Sequence, residues 1–112
     1  DSEGQEEWNQ TFGGTNLDEG LCVQHINGGY IITGYYSNPN NGHGVWLMKT
    51  DEQGNEEWSQ TYGNNDWGVG YSVQQTTDGG YIIAGSTNND GSNFVRLIKT
   101  DSEGNTVACA GQ

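Results

Sequence analysis

Gly28-Gly-Tyr-Ile-Ile-Thr-Gly34 and Gly79-Gly-Tyr-Ile-Ile-Ala-Gly85 are the two segments that decide the fold of this chain. Each joins a glycine turn to a short apolar run that contains Tyr and Ile, which is typical of a strand leaving a tight hairpin. The run does not alternate with polar residues, so it predicts a central strand that is covered on both faces. Its recurrence about fifty residues later indicates an array of repeated units.

The repeat extends through most of the 112 residues. Residues 6–13 return as 56–63, residues 47–50 return as 97–100, and the turn 1–4 returns as 51–54 and 101–104. We predict four strands in the first unit, at 21–26, 30–33, 45–50 and 56–62. The corresponding strands of the second unit are 71–76, 81–84 and 95–100, and no window predicts an amphipathic helix.

Turn residues set the predicted strand ends. Asn27-Gly28 and Asp78-Gly79 are strong hairpin signals, because these residues tolerate positive φ. Gly34 and Gly85 are predicted to end the second strand of each unit, with variable loops at 37–44 and 87–93 behind them.

The phase of the repeat places an orphan strand at the start of the chain. Residues 6–12 match a fourth strand with no unit before it, whereas the closing segment has lost both glutamates and has Ala108 in place of the tryptophan. We therefore predict an outer strand at 1–13, available for exchange, a first repeat at 14–63, and a second repeat at 64–112 with a degenerate last strand.

The segment Asp51-Glu-Gln-Gly-Asn-Glu-Glu-Trp58 resembles the tryptophan-docking motif of quinoprotein-type β-propellers and is close to the Asp-box turn of sialidase-like propellers. Residues 78–87 with 97–101 resemble tandem repeats of secreted bacterial and archaeal surface proteins. The resemblance implies an all-β fold with two four-stranded antiparallel propeller blades per chain, and an extracellular or cell-surface location. It brings no catalytic residue with it.

Two blades cannot close a ring, because each leaves a face exposed and stable arrays usually need three or more units. We expect the chain to assemble with copies of itself, or with adjacent blades of a longer chain, into a ring or a filament. The residues predicted to hold the assembly together are Trp8, Phe12, Trp58 and Tyr62.

The net charge of −12 disfavours nucleic acids and anionic lipid surfaces as partners. The sequence contains no run of about 18 apolar residues, so no membrane span is predicted.

The thiols of Cys22 and Cys109 are predicted to lie on the inner and outer strands of a blade, too far apart for a disulfide bond. Cys22 is then a lone buried thiol, and the alternative is that Cys109 is bonded to another chain or to a segment outside this sequence.

No residue pattern predicts an enzyme. His25 and His43 lack partners at zinc spacing, and one is predicted on a strand and the other in a loop. The paired glutamates at 6–7 and 56–57 point to opposite sides of a strand, so they do not form a glycosidase pair. A structural or adhesive role is the favoured function, and a carbohydrate-binding lectin is the alternative.

The lectin alternative depends on two aromatic residues that the repeat does not require, Trp46 and Trp67. An aromatic ring beside polar side chains suits sugars, which stack on the ring and form hydrogen bonds at its edge. The predicted ligand-binding residues are Trp67, Asp66, Asn65, Trp46, Asn89 and Asp90.

The loops 64–68 and 88–93 offer oxygen ligands to calcium without the spacing of a calcium loop, so no cofactor is expected and calcium is the open alternative. Asn9 begins the sequon Asn-Gln-Thr and is a candidate glycosylation site.

Overall fold

The chain forms two antiparallel β-sheets that stack face to face. The computed structural model describes residues 1–12, 18–38, 42–62, 67–89 and 91–106, with backbone alone at 38, 42, 43, 67 and 89. The first sheet has the order β1-β2-β3-β4, and its strands are β1 (Asp18–Ile26), β2 (Gly29–Asn38), β3 (Gly42–Thr50) and β4 (Glu56–Tyr62). The second has the order β5-β6-β7, with β5 (Trp67–Gln75), β6 (Tyr81–Asn89) and β7 (Ser92–Thr100).

The predicted all-β class is confirmed, and no helix occurs in these described ranges. The strand predicted at 56–62 coincides with β4, and the other predicted strands each lie within an observed one or overrun its end by one residue. The first sheet has the four strands expected of a blade. The second has three in the described residues, and a single bridge between Thr100 and Thr106 marks where a fourth would begin. Residues 107–112 lie outside the described part of the chain.

The prediction that Gly34 and Gly85 end their strands is wrong. β2 and β6 continue several residues past them, and the glycines serve a different purpose. Gly34 lies opposite a β-bulge between Gly20 and Cys22, where a Cβ would collide with the carbonyl oxygen of Glu19. Gly85 faces the equivalent bulge. These glycines permit a close approach of two backbones, which is a recognised use of glycine inside a strand.

The longer strands also shorten the predicted loops. β3 begins at Gly42, so His43 lies in a strand, not in a loop. Trp67 opens β5 and is likewise a strand residue, although it was expected in a loop. Pairing with the neighbouring strand extends both elements into segments whose own Asn and Gly content favours turns.

The N-terminal segment differs from the strand predicted at 6–12. Residues 1–4 form the expected turn, but residues 5–12 belong to neither sheet. A fourth strand needs a third strand beside it to supply hydrogen bonds, and within the described residues no strand pairs with this segment.

The core lies between the two sheets. β5 packs against β1, β2 and β3, so one side of the first sheet covers the opposite side of the second. Close approach depends on Gly70, where a Cβ would collide with the hydroxyl oxygen of Thr33. The buried apolar residues of this core are Ile26, Ile31, Val45, Leu47, Val73, Tyr81, Ile83 and Ile98.

Candidate functional site

Three aspartate turns repeat the same geometry at the edge of the molecule. In each, one carboxylate oxygen accepts hydrogen bonds from the backbone N–H groups two and four residues later, and the glycine three residues later has positive φ. The bonds of Asp51 to Gln53 and Asn55 are both 2.9 Å long, and φ of Gly54 is 83°. The matching turns begin at Asp1 and Asp101.

These hydrogen bonds change the acidity of the turn carboxylates. The backbone N–H of Asn55 is the main cause that holds the pKa of Asp51 below its ordinary value. The backbone N–H of Asn105 lowers the pKa of Asp101 in the same way. Both effects follow because the donated bonds stabilise the ionised form. Both carboxylates are therefore ionised at neutral pH, the form that accepts these hydrogen bonds.

Each of the last two turns is the docking place of a tryptophan. Trp58 packs on the second sheet, where its ring lies 6.0 Å from that of Tyr81 and a Cβ added to Gly104 would strike it. The hydroxyl of Tyr62 donates to the carbonyl oxygen of Gly104 at 2.5 Å, and burial raises the pKa of this tyrosine. The end of β4 is thereby fastened to the neighbouring sheet.

The N-terminal segment docks on the first sheet in the same way. Trp8 lies 5.7 Å from Tyr30, and a Cβ on Gly54 would collide with its ring. The side-chain amide of Gln10 donates to Asn55 Oδ1 at 3.3 Å, as that of Gln60 donates to Asn105 at 3.2 Å. Residues 8–10 thus occupy, relative to the first sheet, the place that β4 occupies relative to the second.

The outer side of the first sheet, which we name the head face, carries an apolar groove. The groove has a volume of about 470 Å³ and lies beside Trp8 and Phe12. Val23 in this groove is 61% exposed, whereas its repeat counterpart Val73 is 2% exposed because the first sheet covers it. The other side chains of the head face in this groove are Leu21, Tyr30 and Ile32.

The outer side of the second sheet, which we name the tail face, presents Ile82, Ala84, Val95 and Leu97. Val95 is 86% exposed and Leu97 is 67% exposed, although their counterparts Val45 and Leu47 are 1% and 0% exposed. Scattered exposed apolar residues are ordinary on proteins, but adjacent ones on one sheet face mark an interaction surface. The head and tail faces are therefore the candidate functional surfaces.

Trp46 lies at the rim of the head face. It lines a shallow cavity of about 140 Å³ together with Phe12 and the acidic pair Asp18 and Glu19. The hydroxyl of Tyr35 donates to Glu19 at 2.5 Å, and this bond is the main cause that raises the pKa of the tyrosine. An aromatic ring beside carboxylates suits a sugar, which can stack on the ring and donate hydrogen bonds from its hydroxyl groups to the carboxylates.

The other predicted ligand-binding residues are not brought to a described site. Asn65, Asp66 and Asp90 lie outside the described residues, and Trp67 and Asn89 are described by their backbone alone. Asn9 is exposed, and its amide donates to Glu6 Oε1 at 2.6 Å. Glycosylation at Asn9 and calcium binding in the loops stay predictions.

Cys22 is a free, partly buried thiol, as predicted, whereas Cys109 lies outside the described residues. The ring of His25 contacts the carboxylate of Glu52 at 3.2 Å. Across the described ranges, no three His, Cys, Asp or Glu side chains converge on a metal position. The same ranges contain no helix long and apolar enough to cross a membrane.

The sequence reasoning missed the tail face. Val95 and Leu97 were predicted as strand residues but not as part of an exposed surface. The signal was present, because residues 47–50 and 97–100 are nearly identical and each strand therefore offers the same apolar face to a covering sheet. No family model matches the chain, and neither does any curated protein.

Proposed function

We propose that this protein is a non-enzymatic extracellular structural or adhesive module that assembles with copies of itself through stacking of blade-like sheets and donation of a strand. The observation that carries the proposal is the contrast between buried Leu47 and exposed Leu97. The extracellular setting rests on the resemblance of the repeat to those of secreted surface proteins.

The contact within the chain supplies the template for the contact between copies. There, the side of the first sheet that carries Val45 and Leu47 covers the side of the second that carries Val73 and Ile83. The tail face repeats the first of these surfaces, and the head face repeats the second. A second copy can therefore stack head to tail with the same residue types meeting.

Glycines illustrate this correspondence. A Cβ on Gly70 would lie 3.2 Å from Val45 Cγ1, so the absence of a side chain lets the sheets approach. Its counterpart on the head face is Gly20, whose nearest neighbour within the chain is Ile32. In the proposed stack, Gly20 receives Val95 of the next copy. A large side chain at Gly20 would block this contact and leave the contact within the chain intact.

Stacking would bury apolar side chains that an isolated chain exposes. Full burial of Val95 and Leu97 contributes about 1.5–3 kcal/mol for each side chain. The contact joins two different faces, so it is heterologous, and a pair of copies still exposes one head face and one tail face. Further copies can add to these faces, and the rotation between copies determines whether a ring or an open filament results. The charge of −12 on every copy opposes association, and salt should reduce that repulsion.

Light scattering on a dilution series tests the proposal. We expect a mass that is a multiple of 12.1 kDa at high concentration and falls towards one chain on dilution. Electron microscopy of the concentrated sample distinguishes a ring from a filament. A folded 12.1 kDa monomer at every concentration, with salt present, would overturn the proposed function.

The lectin alternative is favoured by one observation, the position of Trp46 beside Asp18 and Glu19. This cavity lies on the head face, where a stacked copy would cover it. Sugar binding at Trp46 and assembly should therefore compete. A glycan array probed with the native chain and with Trp46→Ala tests the alternative: a glycan signal that the substitution abolishes supports it, and the absence of any signal contradicts it.

A further inference from the structure

The N-terminal segment makes only half of the contacts that its repeat counterpart makes. β4 forms sheet hydrogen bonds with β3 of its own sheet, and its Trp58 docks on the neighbouring sheet. Residues 8–10 make the second kind of contact with the first sheet, through Trp8 and Gln10. Residues 5–12 make no sheet pairing. The backbone of this segment has thus no strand beside it.

β7 has an outer edge that lacks a paired strand over most of its described length. It is the third strand of its sheet, and its pairing on the outer side, within the described residues, is the single bridge from Thr100 to Thr106. Its own N-terminal segment cannot reach it, because that segment packs on the head face while the second sheet lies on the other side of the first. The N-terminal segment of another copy, by contrast, comes beside β7 when the tail face of one copy stacks on the head face of the next.

We infer that residues 6–12 of one copy form the fourth strand of another copy's second sheet, antiparallel to β7 and in the register of β3 and β4. In that register Phe12 lies opposite Val95, Gln10 opposite Leu97, and Trp8 opposite Lys99, as Tyr62, Gln60 and Trp58 lie opposite Val45, Leu47 and Lys49. This inference rests on the proposed head-to-tail assembly and specifies which segment joins the copies.

Charge supports the register. Lys49 forms an ion pair with Glu57 and is only 15% exposed. Its counterpart Lys99 is 42% exposed and pairs with Asp78 at 3.1 Å. In the inferred register Glu7 of the donor takes the place of Glu57 beside Lys99. Lys99 thus offers Glu7 of the donor strand an ion pair equivalent to that of Lys49 with Glu57 in the first sheet.

The donated strand also explains why Trp8 is docked before any partner arrives. Because Trp8 already lies against Tyr30 and Gly54, the segment is held along the rim of the head face, where the tail face of the next copy would stack. Sheet addition of this kind gives affinity through main-chain hydrogen bonds and register through the side chains.

Cross-linking between two single-cysteine variants tests the register. Both carry Cys22→Ser and Cys109→Ser, which copy the serines at the equivalent repeat positions 72 and 59. One variant adds Gln10→Cys and the other, distinguished by an affinity tag, adds Leu97→Cys. After mixing under mild oxidation we expect a disulfide-linked heterodimer, since the two Cβ atoms lie opposite each other on one face.

The matched control is Asn9→Cys mixed with Leu97→Cys. Residue 9 neighbours residue 10 but points to the other side of the strand, so its cross-link yield should be at least about tenfold lower. If the assembled mass persists by light scattering but the two yields are equal, the inferred register is wrong while head-to-tail stacking stands. If no assembly forms with the unmodified chain, the proposed function fails and this inference fails with it.

Discussion

Leu47 and Leu97 occupy equivalent positions of the two repeats, yet one is completely buried between the sheets and the other is 67% exposed on the tail face. The pair is a direct comparison within a single chain, because each leucine lies in the third strand of its sheet, at the same register opposite the second strand. The difference arises from the presence of a second sheet behind Leu47. It leads to the first prediction.

Leu47→Ala should reduce the free energy of unfolding by about 2–5 kcal/mol, because it leaves a cavity in a packed core. Leu97→Ala should change it by less than about 0.5 kcal/mol at dilutions where the chain is monomeric, as is usual for surface positions. Urea unfolding followed by tryptophan fluorescence measures both. Equal losses for the two variants would show that the tail face is covered within a single chain.

Gly104→Ala should be more destabilising than Gly79→Ala. Both glycines have positive φ, 82° and 87°, so both alanines carry a backbone cost of about 1–2 kcal/mol. At Gly79 the added methyl group meets nothing within 4 Å, whereas at Gly104 it strikes the ring of Trp58. Displacing that ring should add about 1–3 kcal/mol. Thermal melts that show the same loss for both variants would contradict the docking of Trp58.

Acidification should weaken the fold below about pH 4, the ordinary range of an aspartate carboxyl. The folded-state pKa values of Asp51 and Asp101 lie below the ordinary value, so in this pH range the folded chain binds fewer protons than the unfolded chain does. Their contribution to stability is present above the unfolded pKa and is lost as the pH falls through the folded one.

Melting temperatures measured from pH 7 to pH 2 test this dependence. The double variant Asp51→Asn, Asp101→Asn should melt lower at pH 7 and lose less on acidification than the unmodified chain. Some dependence should remain, because the hydroxyl of Thr76 and other donors also lower the pKa of Asp78. Parallel curves for the two proteins would mean that these turns do not couple protonation to folding.

Removal of residues 1–13 should dissociate the assembly. The deletion takes away Trp8 and Phe12, and burial of such side chains contributes roughly 2–3 kcal/mol each. Trimming residues 106–112 removes a segment that has lost the docking tryptophan and should have a mild effect. Light scattering and thermal melting compare the two truncations. An N-terminal truncation with unchanged mass and melting temperature would rule out strand donation.

Local sequence patterns predicted the fold more completely than the site. β4 could be placed to the residue because Trp58 and Tyr62 alternate with polar side chains and Asp51 opens a recognisable turn. Gly34 misled, because its role is a backbone contact with another strand, which no local pattern reports. The same limit applies to residues 6–12, whose sequence is that of a strand and whose pairing partner is not in the described sheets.

The candidate site was harder to predict from the sequence, because it depends on which sheet faces remain uncovered. Trp8 and Phe12 were predicted as assembly residues from the repeat, and this stays a prediction, because the structure shows only the contact of Trp8 with Tyr30 of the same chain. Val95 and Leu97 have the composition of core residues, so their exposure follows only from the stacking of whole sheets. Trp46 was selected because Arg96 replaces it in the second repeat, which is a comparison that sequence alone allows.

The most direct test of head-to-tail assembly is the mass of Leu97→Glu in solution, measured by light scattering with enough salt to screen the charge of −12. The matched control is Thr77→Glu, which adds the same charge at an exposed residue of the turn between β5 and β6. We predict that Leu97→Glu is a folded 12.1 kDa monomer while Thr77→Glu keeps the assembled mass of the unmodified chain. An assembly of undiminished mass with glutamate at position 97 would contradict the account.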